Sequence, residues 1–172
     1  MEYLIDILKI TLPALLVLWA TYSTMTRFFE REENRAKDPN EKNKETLTLR
    51  LKAYERLTLF LERINPDQLI QRTQSPTMNC GELQLKLLKT IRSEYEHNLT
   101  QQLYVSDEAW DAIRLAKESI SQLINTSMAN IEADAPSLNL AQQLIETYHS
   151  TESSPIDVAI RQMKAEVVNM LS

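Results

Sequence analysis

The chain has 172 residues, 43% of them apolar, and 19 basic against 24 acidic side chains give a net charge of −5. One residue is a glycine, Gly81, where ordinary usage near 7% would supply about twelve. Gly-rich phosphate loops, dinucleotide fingerprints and nucleophile elbows need backbone at positive φ or in close approach to a ligand, and a single glycine does not supply them. Tight primed hairpins are disfavoured on the same ground. The length suits one membrane segment plus one soluble domain of roughly 100 to 150 residues with a single core. No Lys/Arg run stands out in the distal part, so binding to nucleic acid is not expected. Cys80 is the only cysteine, which excludes an intrachain disulfide and suits a reducing compartment.

From Ile10 to Thr26 the sequence ITLPALLVLWATYSTMT runs 17 residues without a charge, and Leu4, Ile5, Ile7 and Leu8 extend it upstream. That length is just enough for a helix to cross a bilayer, so residues 4–26 are predicted to contact lipid as a transmembrane anchor. Glu2 and Asp6 replace the basic patch of a cleavable leader, and no A-x-A site follows the apolar run, so the anchor is expected to stay attached. Lys9 is the only basic residue ahead of the span, whereas Arg27, Arg31, Arg35, Lys37, Lys42 and Lys44 follow it. The positive-inside rule therefore puts the N-terminus outside and the remainder in the cytoplasm.

Residues 1–37 are read as the anchor with a juxtamembrane helix ended by Asp38-Pro39. They hold five basic and five acidic side chains, so the net charge of −5 belongs to residues 38–172. DPNEKNKE, residues 38–45, has no apolar side chain and reads as a solvated linker before a helical domain at 46–172. In that domain Leu47, Leu51, Tyr54, Leu57, Leu61 and Ile64 recur at spacings of three and four, with Phe60 widening the stripe, and predict a helix over Thr46 to Ile64. Asn65-Pro66 stops it and starts a short helix. A long helix follows from Glu82 to Tyr104, with Leu83, Leu87, Ile91, Tyr95, Leu99 and Leu103 every four residues. Ser106 caps the next, which carries Trp110, Ile113, Ile120, Ile124, Met128 and Ile131 on one face until Pro136. Leu138 to His149 forms a shorter helix and Ser154-Pro155 opens the last, with Ile156, Ile160, Met163, Val167 and Met170 inward. The expected fold is all-α: a transmembrane helix followed by an antiparallel bundle of four to five helices.

The blocks LRLKAYERLTLFLERI (Leu49 to Ile64) and IRSEYEHNLTQQLYVSDEAW (Ile91 to Trp110) resemble a family of small bacterial single-pass membrane proteins of unknown function. That resemblance implies the anchor-plus-helices architecture and a bacterial inner membrane, and it carries no activity, substrate or binding residue.

One constellation suggests chemistry. Glu94-Tyr-Glu-His97 and Glu146-Thr-Tyr-His149 both read Glu-x-x-His, and with Glu62 and Glu118 they would complete the ligand set of a carboxylate-bridged di-iron site. Helical phase opposes it. At 100° per residue His97 falls roughly 120° from the centre of the Leu83 to Leu99 stripe, and Glu146 about 155° from that of Leu144, Ile145 and Tyr148. Such ligands would face solvent, so no metal, cofactor or catalytic residue is assigned. Cys80 is read as a turn cysteine, and Tyr95, Tyr104, Trp110 and Phe60 as core. The function expected is that of an accessory subunit or adaptor of a membrane complex, binding a membrane or cytoplasmic protein without catalysis. A di-iron oxidoreductase and a structural homo-oligomer built through the first soluble helix are the alternatives.

Overall fold

The computed structural model describes residues 15–29, 39–150 and 153–171, and of residues 39–42 the backbone alone. Among the described residues there are seven α-helices, a 3₁₀ segment and no strand. The chain divides into two compact units, Met1–Thr46 and Leu47–Ser172.

In the first unit, helix α1 covers 15–29. Its apolar side chains are exposed all round the cylinder, from Leu15 through Trp19 and Tyr22 to Phe28 and Phe29. Among the described residues no helix is long and apolar enough to cross a membrane. The described part of α1 covers about 22 Å at 1.5 Å per residue, and its second half carries Thr21, Ser23, Thr24, Thr26 and Arg27. The upstream part of the expected span, residues 4–14, lies outside the described residues, as does the expected juxtamembrane continuation from residue 30.

Residues 39–45 of the expected linker are helical. Helix α2 runs Pro39–Ile64 and takes in Glu41 to Glu45. Proline fits the first position of a helix, where no amide hydrogen bond is lost, and Glu and Lys are good helix formers. A stretch without apolar residues therefore reads equally as a solvated helix, and Pro39 as the start of one.

In the second unit α2 brings Tyr54, Leu57, Phe60, Leu61 and Ile64 into the core, each at most 3% exposed. Asn65 accepts from the Asp67 amide at 3.1 Å and caps α3, Pro66–Thr73. Helix α4, Cys80–Asn98, starts two residues earlier than expected because Asn79 and Glu82 form a reciprocal capping box. Its end is also different. Residues Leu99–Leu103 tighten into a 3₁₀ segment, which leaves Leu103 78% and Leu99 41% exposed instead of extending the buried stripe.

Helix α5, Asp107–Met128, is capped by Ser106, whose hydroxyl accepts from the Ala109 amide at 3.0 Å. It buries Ile113, Ala116, Ile120 and Ile124 and ends short of Ile131. Helix α6, Ser137–His149, and helix α7, Pro155–Leu171, complete the unit. Helix α5 packs against α4, α6 and α7, while α3 sits against α4 and α6. One contiguous core joins all six helices α2 to α7.

Gly81 is not a turn residue. It lies in the first turn of α4 without positive φ, and its amide donates to the Ala133 carbonyl at 3.0 Å beside the Cys80 amide on Ala135 at 2.8 Å. A Cβ at Gly81 would meet Ala133 Cβ at 3.5 Å, an ordinary contact. Gly81→Ala should therefore leave stability unchanged or raise it by up to about 1 kcal/mol, through a less flexible unfolded chain. Thermal unfolding of the two proteins measures this, and a loss beyond 1 kcal/mol would mean that Ala133 cannot accept the methyl.

Candidate functional site

Besides a recess of about 440 Å³ bounded by Asn130, Glu132, Asn139 and Glu146, three places in the helical unit concentrate polar chemistry or open space. The first is a carboxylate cluster where α2, α5 and α7 meet. Tyr54 donates its hydroxyl to Glu166 Oε2 at 2.5 Å, and Ser106 donates to Oε1 at 2.6 Å while capping α5. Gln162, one turn back on α7, donates to the same Oε1 at 3.0 Å. Burial raises the Glu166 pKa, but the three donors and the nearby charge of Arg50 outweigh it and hold the carboxyl below its ordinary value. Burial and then the Glu166 hydrogen bond push the Tyr54 phenol up, so Tyr54 keeps its proton and stays a donor. Accepting from Tyr54 on α2, Ser106 at the cap of α5 and Gln162 on its own helix, Glu166 is suited to clamping the bundle rather than to moving a proton.

The second is a groove of about 720 Å³ between α4 and α5, bounded by Leu88, Tyr95, Leu99, Lys117, Glu118 and Gln122 among others. Tyr95 belongs to an aromatic stack that crosses the unit: its ring centroid is 6.0 Å from that of Phe60 on α2 and 5.6 Å from that of Trp110 on α5. Lys117 Nζ sits 4.8 Å above the same ring. Phe60 is buried and Tyr95 and Trp110 are half-buried, so these three serve the core as expected. Tyr104 departs from that expectation at 39% exposure, because the 3₁₀ segment carries it outward.

The third is a recess of about 290 Å³ between α2 and α4, lined by Arg56, Leu59, Phe60, Arg63, Glu94, His97 and Asn98. Glu94 is its only acid. Arg63 Nη2 meets Glu94 Oε1 at 2.5 Å, and Arg72 reaches the same oxygen at 3.6 Å from α3 while also donating to the Arg63 carbonyl. Arg56 Nη2 lies 3.4 Å from His97 Nε2.

The residues of the di-iron alternative are spread over these surfaces. Glu94 is held by two arginines; His97 is exposed on α4 beside the recess, and Glu118 is exposed on α5 beside the groove. His149 pairs with Asp67 at 3.2 Å, Glu146 is exposed on α6, and Glu62 is half-buried on α2. Among the described residues no three His, Cys, Asp or Glu side chains are grouped as a metal ion requires. Cys80, expected in a turn, is fully buried in the first turn of α4 and donates its thiol to the Pro136 carbonyl at 3.1 Å.

The profile of a family of unknown function, DUF7935, matches residues 2–170. The chain belongs to this family. The match runs through Leu138 and on into α7, well beyond the two blocks that carried the resemblance in the sequence. No curated protein and no solved structure matches the chain. Membership adds no activity, ligand or partner, so function rests on the surfaces described above. The Glu166 cluster and the basic recess were both missed by sequence reading. Tyr54 and Glu166 are 112 positions apart, and Arg56 and His97 41 apart, with no local pattern joining them.

Proposed function

We propose that this protein is a membrane-tethered helical adaptor, held on a bacterial inner membrane through residues 4–26 with its N-terminus outside. Its helical unit lies in the cytoplasm and binds a protein partner as an accessory subunit, without catalysis of its own. The observation that carries the tether is α1, whose apolar side chains are exposed around the whole cylinder, an arrangement that water penalises and lipid rewards. Thr21 and Thr24 donate their hydroxyls to carbonyls one turn back at 2.6 Å, so polar groups of this helix are satisfied within it. The charge-free run upstream to Ile10 and the basic residues downstream fit the same reading.

The test is alkaline carbonate extraction of cells expressing the full chain. The protein should stay with the membrane pellet, and Val17→Lys with Leu18→Lys should release it, since each charge near the middle of a span costs about 2.5 to 3.5 kcal/mol. Release of the unaltered protein by carbonate would overturn the tether. Purification from native membranes in mild detergent tests the adaptor role, which fails if the chain elutes alone as a monomer.

A further inference from the structure

Helix α2 carries a second stripe, on the side away from the core. Leu49, Lys52, Arg56, Leu59 and Arg63 recur at spacings of three and four, which at 100° per residue keeps them within about 80° of arc. Leu49 and Leu59 are 50% and 58% exposed, Lys52 and Arg56 are exposed, and the Arg63 side chain is 43% exposed. Between Leu49 and Arg63 no acid falls in the stripe; Glu55 and Glu62 lie about 80° and 100° from its centre, and Glu45 precedes it in register. Arg72 adds a further cation beside the recess along its flank, where Glu94 is the only acid. The ribbon is basic and apolar on a chain of net charge −5.

We propose that this face of α2 docks on the surface of an anionic phospholipid bilayer, with Lys52 and Arg56 against lipid phosphates and Leu49 and Leu59 entering the headgroup boundary. The inference rests on the tether proposed above. Cations alternating with exposed leucines match an interface that is anionic at the surface and apolar just below it. A tether makes the encounter intramolecular, so even a weak electrostatic surface becomes occupied. A second copy is a poorer occupant, because a symmetric pairing along the stripe would set Lys52 and Arg56 against like charges. The recess of about 290 Å³ beside Arg56 and Leu59 gives a headgroup room between α2 and α4.

The experiment uses the full chain carrying Leu59→Cys, labelled with an environment-sensitive fluorophore; Cys80 is fully buried and stays unlabelled in the folded protein. It is mixed with vesicles of phosphatidylcholine alone and with vesicles containing added phosphatidylglycerol. Co-flotation with phosphatidylcholine vesicles reads the tether, and the fluorophore reads the docking. The expected result is flotation with both vesicle types but a blue-shifted emission only with phosphatidylglycerol, reversed by high salt. Lys52→Glu with Arg56→Glu should abolish the shift. Lys52→Gln with Arg56→Gln, the gentler pair, should weaken docking about fivefold per neutralised cation, about 25-fold together, with helicity unchanged by circular dichroism.

Flotation with a silent fluorophore in both vesicle types overturns the docking and leaves the tether standing. An equal shift in both types overturns it as well, since charge would not be responsible. Salt-sensitive binding to phosphatidylglycerol vesicles alone supports the docking and removes the tether, while binding to neither removes both. A shift caused by poly-glutamate, with silence on phosphatidylglycerol, assigns the face to an acidic protein and overturns the lipid.

Discussion

Replacing Phe60 with alanine should lower the unfolding free energy by about 3 to 5 kcal/mol, the loss expected when a buried aromatic ring is deleted and its cavity only partly collapses. Phe60 is 1% exposed and joins α2 to the Tyr95 and Trp110 rings of α4 and α5. Its removal ends one ring contact directly and leaves Tyr95 without a neighbour on one side. With a urea dependence of about 2 kcal/mol per molar, the midpoint should fall by about 2 M for the full chain in mild detergent. Leu59→Ala one position earlier is the control: its side chain is 58% exposed, and the change should stay within about 0.5 kcal/mol. If Phe60→Ala cost no more than the control, α2 would not be packed as described. The expected size of the effect follows from how α2 is held, through large side chains reaching inward and through the polar bonds at Arg63 and Tyr54.

Glu166→Gln should weaken the bundle and, more diagnostically, change how stability depends on pH. In the native protein the carboxylate accepts from Tyr54, Ser106 and Gln162. Hydrogen bonds to a charged acceptor are worth about 1.5 to 3 kcal/mol each in favourable cases, and Tyr54 is 3% exposed, so water does not readily replace the lost partner. A loss of about 2 kcal/mol near neutral pH is expected. Burial alone would raise the Glu166 pKa, yet its donors and Arg50 bring it below the ordinary 4.5. The folded state therefore binds fewer protons than the unfolded chain. The stabilisation is present in full above the ordinary value of 4.5 and is lost as pH falls through the depressed native one. Denaturation midpoints measured from neutral to strongly acidic pH should fall more steeply below 4.5 for the unaltered protein than for Glu166→Gln, the two curves converging in acid. Parallel curves would mean that Glu166 is not held in its charged form by these donors.

Several helix boundaries were legible because their causes are local. Asn65-Pro66, Ser106 and Ser154-Pro155 act within one turn of the amides they cap, and the first two mark the starts of α3 and α5 as the residues alone indicate. The stripe from Tyr54 to Ile64 also predicted its own burial, since a period of three to four leaves one face of a helix no better place than a core. Residues 39–45, expected as a solvated linker, are helical for a related reason. Helix propensity and a missing apolar face point in opposite directions there, and Pro39 serves a start as well as a stop.

The amino-acid sequence by itself determined an all-helical protein, most of the helix starts and the apolar faces, because capping and amphipathic period are set by residues within four positions of one another. Tertiary structure decided the rest. Leu99 and Leu103 continue the apolar spacing of α4 but leave the core where its end tightens. Glu166 looks like any surface glutamate until α7 brings it to Tyr54 and Ser106. Arg56, Arg63, Arg72 and His97 are unremarkable in a chain with 19 basic side chains, and only the packing of α2, α3 and α4 gathers them around one recess. Charge and hydrogen bonding act through space, so their partners are named by the packing of helices rather than by order along the chain.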